Sequence, residues 1–423
     1  MAKFCLVTFG CKLNQADSAL IRRVVAKFHK EASEKEADFV ILNTCGVVEK
    51  TELKIIKKAK ELKRKRKKIV LAGCLPLISP EVAKNIADGM VGPTNILDLP
   101  KVIKGVLRGK KTISLKTRFL DKARLGCVAL NKESCVAIIP ISEGCLSSCA
   151  YCVTRLARKK LRSFKKEAIL ENIKSAISMG AKEIQLTSQD LAIYGLDKGK
   201  MELGDLLKEI AKIQGSFKVR LGMMNPQYAK RIFNQILKIL KDDKFYKFLH
   251  LPFQSGSNNI LKAMGRGYKR EDILRLVKGF RRKFKRGLLA TDVIVGFPGE
   301  SERDFKETLS LVKKIKPDIL HIFKFSKRKG SLCDHLKDFP DRIKKERSKI
   351  LTRVWKEIAK EQSRKYLGKT LKVLIVEKRG NSFLARPDSY KAVILKEGKV
   401  GEWQRVKIIK TKPNYLVGKA LKN

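Results

Sequence analysis

The sequence predicts an α/β protein in three parts: an N-terminal parallel α/β domain over residues 1–111, a central (β/α) barrel over 131–365, and a small, OB-like C-terminal β-barrel over 366–423. Three observations predict it. Strand and helix signals alternate from the N-terminus to Lys111. Six strand-like runs recur through the middle with helical periods between them. The last stretch then breaks into five short β-prone runs separated by Gly, Asn and Pro.

Taken in order, KFCLVTF reads as a buried strand, SALIRRVVAKFHK as a helix, DFVILNT as a second strand, TELKIIKKAKELKRKRKK as a basic helix and KIVLAG as a third strand. Continuous apolar runs of this length fit strands covered on both faces, as in a parallel sheet. Residues 112–134 show no sustained period and read as a connector. In the middle, VAIIPI at 136, EIQLTS at 183, FKVRLG at 217, YKFLHLPF at 246, LLATDVIVGF at 288 and DILHIFKF at 318 alternate with helical stretches such as EAILENIKSAISM and DILRLVKGFRRKF. Repeated βα units of this kind form an open or closed barrel, whose function sits on loops at the C-terminal ends of its strands. DRIKKERSKILTRVWKEIAKEQSRKYLGK keeps a helical period without an internal Pro and ends at Gly368, so it packs on the barrel as a connector. TLKVLIVEK, SFLARPD, YKAVILKEG, WQRVKIIKTKPN and YLVGKAL make the last barrel, a shape much used to bind nucleic acid.

The charge is extreme: 95 Lys and Arg face 42 Asp and Glu, a formal +53. A thermophilic surface raises Glu together with Lys, and here Glu does not keep pace. A field of this sign selects a polyanion, and RNA is the expected partner. Basic runs such as Lys63–Lys68, taken singly, are solvated faces; with the net charge they suit phosphate contacts. The longest apolar runs, FVIL at 39–42 and VIVGF at 293–297, are far shorter than the ~20 residues of a membrane helix. MAKFCLVTFGC enters a strand without a charged-then-apolar leader and the chain closes on GKALKN, so a cytoplasmic protein with no membrane partner is expected.

Ten cysteines stand at 5, 11, 45, 74, 127, 135, 145, 149, 152 and 333. In a chain this large without a leader, metal or redox use fits better than disulfides. SEGCLSSCAYC places Cys145, Cys149 and Cys152 in a C-x3-C-x2-C pattern, directly after the first barrel strand. A structural zinc site needs a fourth ligand, and none lies nearby; a 4Fe-4S cluster on three thiolates leaves one iron open for chemistry. A second set is scattered. Cys11, Cys45 and Cys74 each follow the C-terminal end of a predicted parallel strand, so one sheet edge gathers them at a second cluster. Cys5, Cys127, Cys135 and Cys333 match no ligand pattern and read as structural thiols.

Several longer motifs sharpen this. TFGCKLNQADS, ILNTC and AGC in the first part, SEGCLSSCAYC with RLARKKLRS, LTSQDLAIYG, VRLGMMNP, HLPFQSGS with MGRGY, and TDVIVGFPGES are followed by the C-terminal β-barrel. Together, over essentially the whole chain, they resemble the radical S-adenosylmethionine methylthiotransferases. The closest resemblance is to the archaeal and eukaryotic type that acts on N6-threonylcarbamoyladenosine in tRNA. Ser147 and Ser148 depart from the family's more usual Gly or Asn.

The resemblance implies an N-terminal cluster domain, a radical S-adenosylmethionine barrel and an RNA-binding TRAM barrel. It implies two 4Fe-4S clusters: one on Cys145, Cys149 and Cys152, whose open iron takes S-adenosylmethionine and generates a 5′-deoxyadenosyl radical, and an auxiliary one on Cys11, Cys45 and Cys74 that carries the sulfur. Two S-adenosylmethionine molecules per turnover follow, one methylating the sulfur and one making the radical that removes hydrogen from adenine C2. An external electron donor and a sulfur donor are implied partners besides tRNA. Gln189, Asp190, Asn225, Gln254, Ser255 and Gly296 follow or end barrel strands, where they line the mouth around the cofactor or simply cap loops and turns. Arg220, inside a strand, joins that lining or pairs with a barrel acid. Methylthiolation of isopentenyladenosine in tRNA or of a ribosomal-protein aspartate are alternatives of the same class, and a noncatalytic iron-sulfur RNA-binding protein is one of another.

Overall fold

The protein is described by a computed structural model that covers residues 1–118, 120–126, 130 and 133–421. Cys127 lies outside the described residues. The first part is a six-stranded, all-parallel sheet in the order β2-β1-β3-β4-β5-β6, built from β1 (Lys3–Thr8), β2 (Lys30–Glu31), β3 (Phe39–Thr44), β4 (Lys68–Gly73), β5 (Gly89–Val91) and β6 (Thr112–Ser114). β3 carries FVILNT, buried at every position because helices cover both faces of the sheet. The predicted first three strands are therefore β1, β3 and β4. The strands β2, β5 and β6 have two or three residues each, too few to show a pattern. Thr112–Ser114, read as connector, pairs in parallel with β5.

The middle part holds β7 (Val136–Pro140), the small hairpin of β8 (Ser142–Glu143) and β9 (Arg162–Ser163), β10 (Glu183–Thr187), β11 (Lys218–Arg220), β12 (Phe248–His250), β13 (Leu288–Val295) and β14 (Ile319–Lys324). β7, β10 and β11 form one parallel ladder and β12, β13 and β14 another, and a parallel bridge from Val219 to Phe245 joins them. The six predicted runs thus make an open barrel. Its seam lies between β7 and β14, where no ladder closes it among the described residues. The helix Lys12–Val25 of the first part packs against β7. The long helix Asp341–Arg364 packs on β14 and on the helix Glu302–Ile315, as a connector should.

The last part is a closed five-stranded barrel in the order β15-β16-β17-β19-β18, formed by β15 (Thr370–Arg379), β16 (Ser382–Pro387), β17 (Val393–Leu395), β18 (Trp403–Thr411) and β19 (Leu416–Ala420). Closure leaves no sheet edge exposed. Tyr390, in a left-handed conformation (φ 66°), reaches from this barrel into the base of the central one and packs with Tyr246, Phe248, Leu288 and Ala290. Among the described residues, no helix is long and apolar enough to cross a membrane.

Candidate active site

The C-terminal edge of the first sheet gathers three thiols. Cys45 follows β3 and Cys74 follows β4 directly, whereas Cys11 stands three residues beyond β1 as the N-cap of the helix Lys12–Val25. Gly10 (φ 127°) allows the approach: a Cβ there would fall 2.7 Å from the Cys45 Cβ. Asn14 braces the same edge, its Nδ2 donating to the Thr44 carbonyl at 3.0 Å, with its Oδ1 3.2 Å from the Cys11 Sγ. Burial and the neighbouring Cys74 push the Cys45 thiol up to about 12.

The second set sits where barrel function is expected. Gly144 (φ 85°) admits the turn into the loop, since a Cβ there would land on the Lys160 carbonyl oxygen. Neighbouring strands hold the loop down. Gly144 N donates to Gln189 Oε1 at 2.8 Å, Asn225 Nδ2 to Ser147 Oγ at 3.0 Å and Ala150 N to the Met264 carbonyl at 3.0 Å. Arg266 spans the site, donating to the Cys149 Sγ at 2.9 Å and to Asn225 Oδ1 at 2.9 Å. Burial raises Cys145 to about 11. In neither set do three sulfurs lie within 4.8 Å of one another. Among the described residues only His250, Asp292 and His321 form such a group. Ligands of one tetrahedral zinc, at bonds of ~2.3 Å, would lie closer than that, so neither set is arranged as a closed single-zinc site.

The predicted lining residues divide by what they touch. Gln189 and Asn225 hold the cysteine loop as described, and Gln254 (φ 66°) faces a cavity together with Tyr151. Asp190 caps the turn after β10, accepting from Ala192 N and Asn225 N at 3.0 Å each. Burial lifts its carboxyl to about 7. Ser255 is fully buried with its hydroxyl 3.3 Å from Thr308 Oγ1, and a Cβ on Gly296 (φ 71°) would strike the Lys344 side chain. Those two positions face packed helices.

Some members of the site carry no signal in the sequence. Asp17, Lys122, Glu143 and Arg158, all at most 5% exposed, form a closed ionic network in which both cations reach both carboxylates. Arg158 also donates to the Cys74 Sγ at 3.3 Å. Asp292 Oδ1 lies 3.0 Å from His250 Nε2 and 2.7 Å from His321 Nδ1, and these contacts hold its carboxyl well below the usual range against the opposing effect of burial. A cavity of about 180 Å³ joins the two halves. Val47 and Val48, just beyond Cys45, line one side, and Tyr151, Gln254, Asp292 and Phe323 line the other.

Comparison with known proteins meets this geometry part by part. Residues 139–312 match the Radical SAM superfamily, residues 3–92 the family described as "Uncharacterized protein family UPF0004", and residues 364–421 the TRAM domain. A protein of Archaeoglobus fulgidus named "Probable threonylcarbamoyladenosine tRNA methylthiotransferase" is 43% identical over 418 residues, covering 98% of each chain. The chain belongs to the radical S-adenosylmethionine methylthiotransferases. A Pyrococcus horikoshii protein of the same name is 40% identical over 428 residues, covering 100% of each. The tRNA-2-methylthio-N(6)-dimethylallyladenosine synthase of Aquifex aeolicus is 33% identical over 437 residues, covering 99% of this chain and 98% of its own. This methylthiotransferase is therefore an enzyme of tRNA, of the threonylcarbamoyladenosine type within its family, and the family brings a 4Fe-4S cluster and S-adenosylmethionine with it. A radical S-adenosylmethionine methyltransferase from Kitasatospora setae shares the fold, with a TM-score of 0.59 at 11% identity over 79% of this chain and 75% of its own.

Proposed function

We propose that the enzyme methylthiolates C2 of N6-threonylcarbamoyladenosine next to the anticodon of tRNA, giving 2-methylthio-N6-threonylcarbamoyladenosine. In this reading Cys145, Cys149 and Cys152 hold one 4Fe-4S cluster, Cys11, Cys45 and Cys74 hold another, and two S-adenosylmethionine molecules are used per turnover. The observation that carries it is the single cavity lined by residues beside both cysteine sets. When bound, the first cluster supplies an open iron and an electron to S-adenosylmethionine, and the second an iron that presents sulfur.

The protein's own groups do the rest. Arg266 donates to the Cys149 sulfur, and Arg158 sets a positive charge against the Cys74 sulfur, opposing the rise that burial imposes on that thiol. Gln189 and Asn225 fix the loop that carries the first set. Tyr151, Ile294, Phe323 and Phe325 wall the cavity with carbon, which keeps water from a reactive intermediate. The basic surface and the C-terminal barrel hold the tRNA backbone. An external electron donor, a sulfur donor, a cytoplasmic location and the division at 1–111, 131–365 and 366–423 complete the proposal.

Mass spectrometry of tRNA nucleosides from cells with and without the gene tests it. The 2-methylthio derivative of threonylcarbamoyladenosine is expected only where the gene is present; a gene-dependent 2-methylthio derivative of isopentenyladenosine in its place refutes the substrate. Gly10→Ala tests the second cluster. The added methyl drives Cys11 away from Cys45, and anaerobically reconstituted protein is expected to bind about four irons per chain where the parent binds about eight. A full iron count in that variant would contradict the ligand set.

A further inference from the structure

The lumen of the central barrel holds a guanidinium that forms no ion pair with an acid among the described residues. Arg220 on β11 stands in register with Gln185 on β10, so the two side chains leave the same face of the sheet. That face is the lumen: the Arg220 guanidinium lies 4.8 Å from the centre of the Phe248 ring and 5.9 Å from that of Tyr390, both of them part of the apolar base. Arg220 forms no hydrogen bond or ion pair with any described residue, and its Nε is buried without a partner. Gln185 Oε1 is buried and unpartnered as well. The orientation of that amide is set by its other end, where Nε2 donates to Glu183 Oε1 at 2.6 Å and lies 3.0 Å from the Tyr390 hydroxyl.

Glu183, the acid nearest in the sheet, is already engaged. It also accepts from Tyr246 at 2.9 Å and meets Tyr390 at 3.3 Å. A guanidinium whose Nε is buried without a partner, beside an unpaired buried acceptor, is a costly arrangement that a ligand of matching chemistry relieves. The pair lies two residues below the end of β10 at Thr187, about 7 Å down the lumen. Above it, Phe248 and His250 alternate up β12 toward Asp292 and the cavity.

We propose that Arg220 and Gln185 form a subsite for the N6 substituent of the substrate base: the guanidinium takes its carboxylate and Gln185 Oε1 accepts from its hydroxyl. The subsite rests on the threonylcarbamoyladenosine reading and deepens it, because that substituent carries both groups at its far end. The base then occupies the cavity with C2 between the cysteine sets, while the substituent descends the lumen. A dimethylallyl group in the same place would leave the guanidinium desolvated and unpaired, so the subsite rejects it as well as selecting its own ligand.

Full-length protein and fluorescent anticodon stem-loop RNAs test this by anisotropy. The RNAs carry N6-threonylcarbamoyladenosine, its carboxyl methyl ester, dimethylallyladenosine or plain adenosine. The parent is expected to bind the acid about tenfold to a hundredfold more tightly than the ester, as a charge-assisted hydrogen-bonded pair should give. Arg220→Gln is expected to bring that ratio to near one while its affinity for plain adenosine RNA stays at the parent's level. Arg220→Lys is expected to keep part of the ratio, and it decides the matter if Arg220→Gln loses plain RNA binding and so reports misfolding. A parent that binds acid and ester alike, or an Arg220→Gln protein that keeps the preference, overturns the subsite; if the parent still methylthiolates threonylcarbamoyladenosine in tRNA, the functional reading survives that result. A parent that instead binds and methylthiolates only the dimethylallyl RNA overturns both.

Discussion

Replacing Cys145, Cys149 and Cys152 by alanine is expected to abolish reductive cleavage of S-adenosylmethionine, while replacing Cys11, Cys45 and Cys74 leaves cleavage close to the parent rate and ends methylthiolation. The asymmetry follows from where the two sets sit. The first is on the loop after β7, at the mouth of a barrel with the radical superfamily's fold, and Arg266 and Asn225 tie that loop to the barrel. The second is on a separate sheet, across the cavity. Each triple variant is expected to retain about four of about eight irons. No other group of described residues is placed to replace a lost set, since His250, Asp292 and His321 pair among themselves and carry no sulfur. Cleavage that persists in the first variant would sink the radical assignment. Methylthiolation that persists in the second would remove the auxiliary cluster from the reaction.

Much of this was legible because parallel sheets expose their chemistry at one edge. Cysteines after DFVILNT and KIVLAG had to meet once those runs were adjacent parallel strands, and β3 and β4 are neighbours in the sheet. Cys11 was harder. The sequence placed its helix near Ser18, but the helix begins at Lys12 with Cys11 as its cap, because Gly10 turns the chain sharply after β1. The five terminal runs mapped one to one onto a closed barrel, their breaks marked by Gly, Asn and Pro.

What stayed hidden was long-range and polar. Arg158 lies in RLARKKLRS, where a basic run reads as a solvated face, yet its partner Asp17 is 141 residues away and both are buried. Arg266, between two glycines, meets a cysteine 117 residues earlier. Neither contact leaves a periodic trace. Ser255 and Gly296 follow barrel strands as lining residues would, and only packing shows that they face helices. Arg220 was open to two readings, and among the described residues no acid forms an ion pair with it.

The ionic network gives the second large effect: Glu143→Ala is expected to cost about 3–5 kcal/mol in urea unfolding. Its removal takes one of the two carboxylates of the network from Lys122 and Arg158, which are only 1% and 3% exposed and bury their charge. The contrast is Arg22–Glu31, with side chains 44% and 39% exposed, where Glu31→Ala should cost no more than about 1 kcal/mol. Equal losses in the two variants would show that the buried network is no more than a surface pair. Arg158→Met separates structure from chemistry. It empties the donor position 3.3 Å from the Cys74 sulfur, so a cluster held there loses a neighbouring positive charge and becomes harder to reduce. The reduction potential of the cluster on Cys11, Cys45 and Cys74 should therefore fall, while that of the cluster on Cys145, Cys149 and Cys152, whose own cation is Arg266, stays where it was. A network serving only to join the two parts of the chain would lower stability and move neither potential.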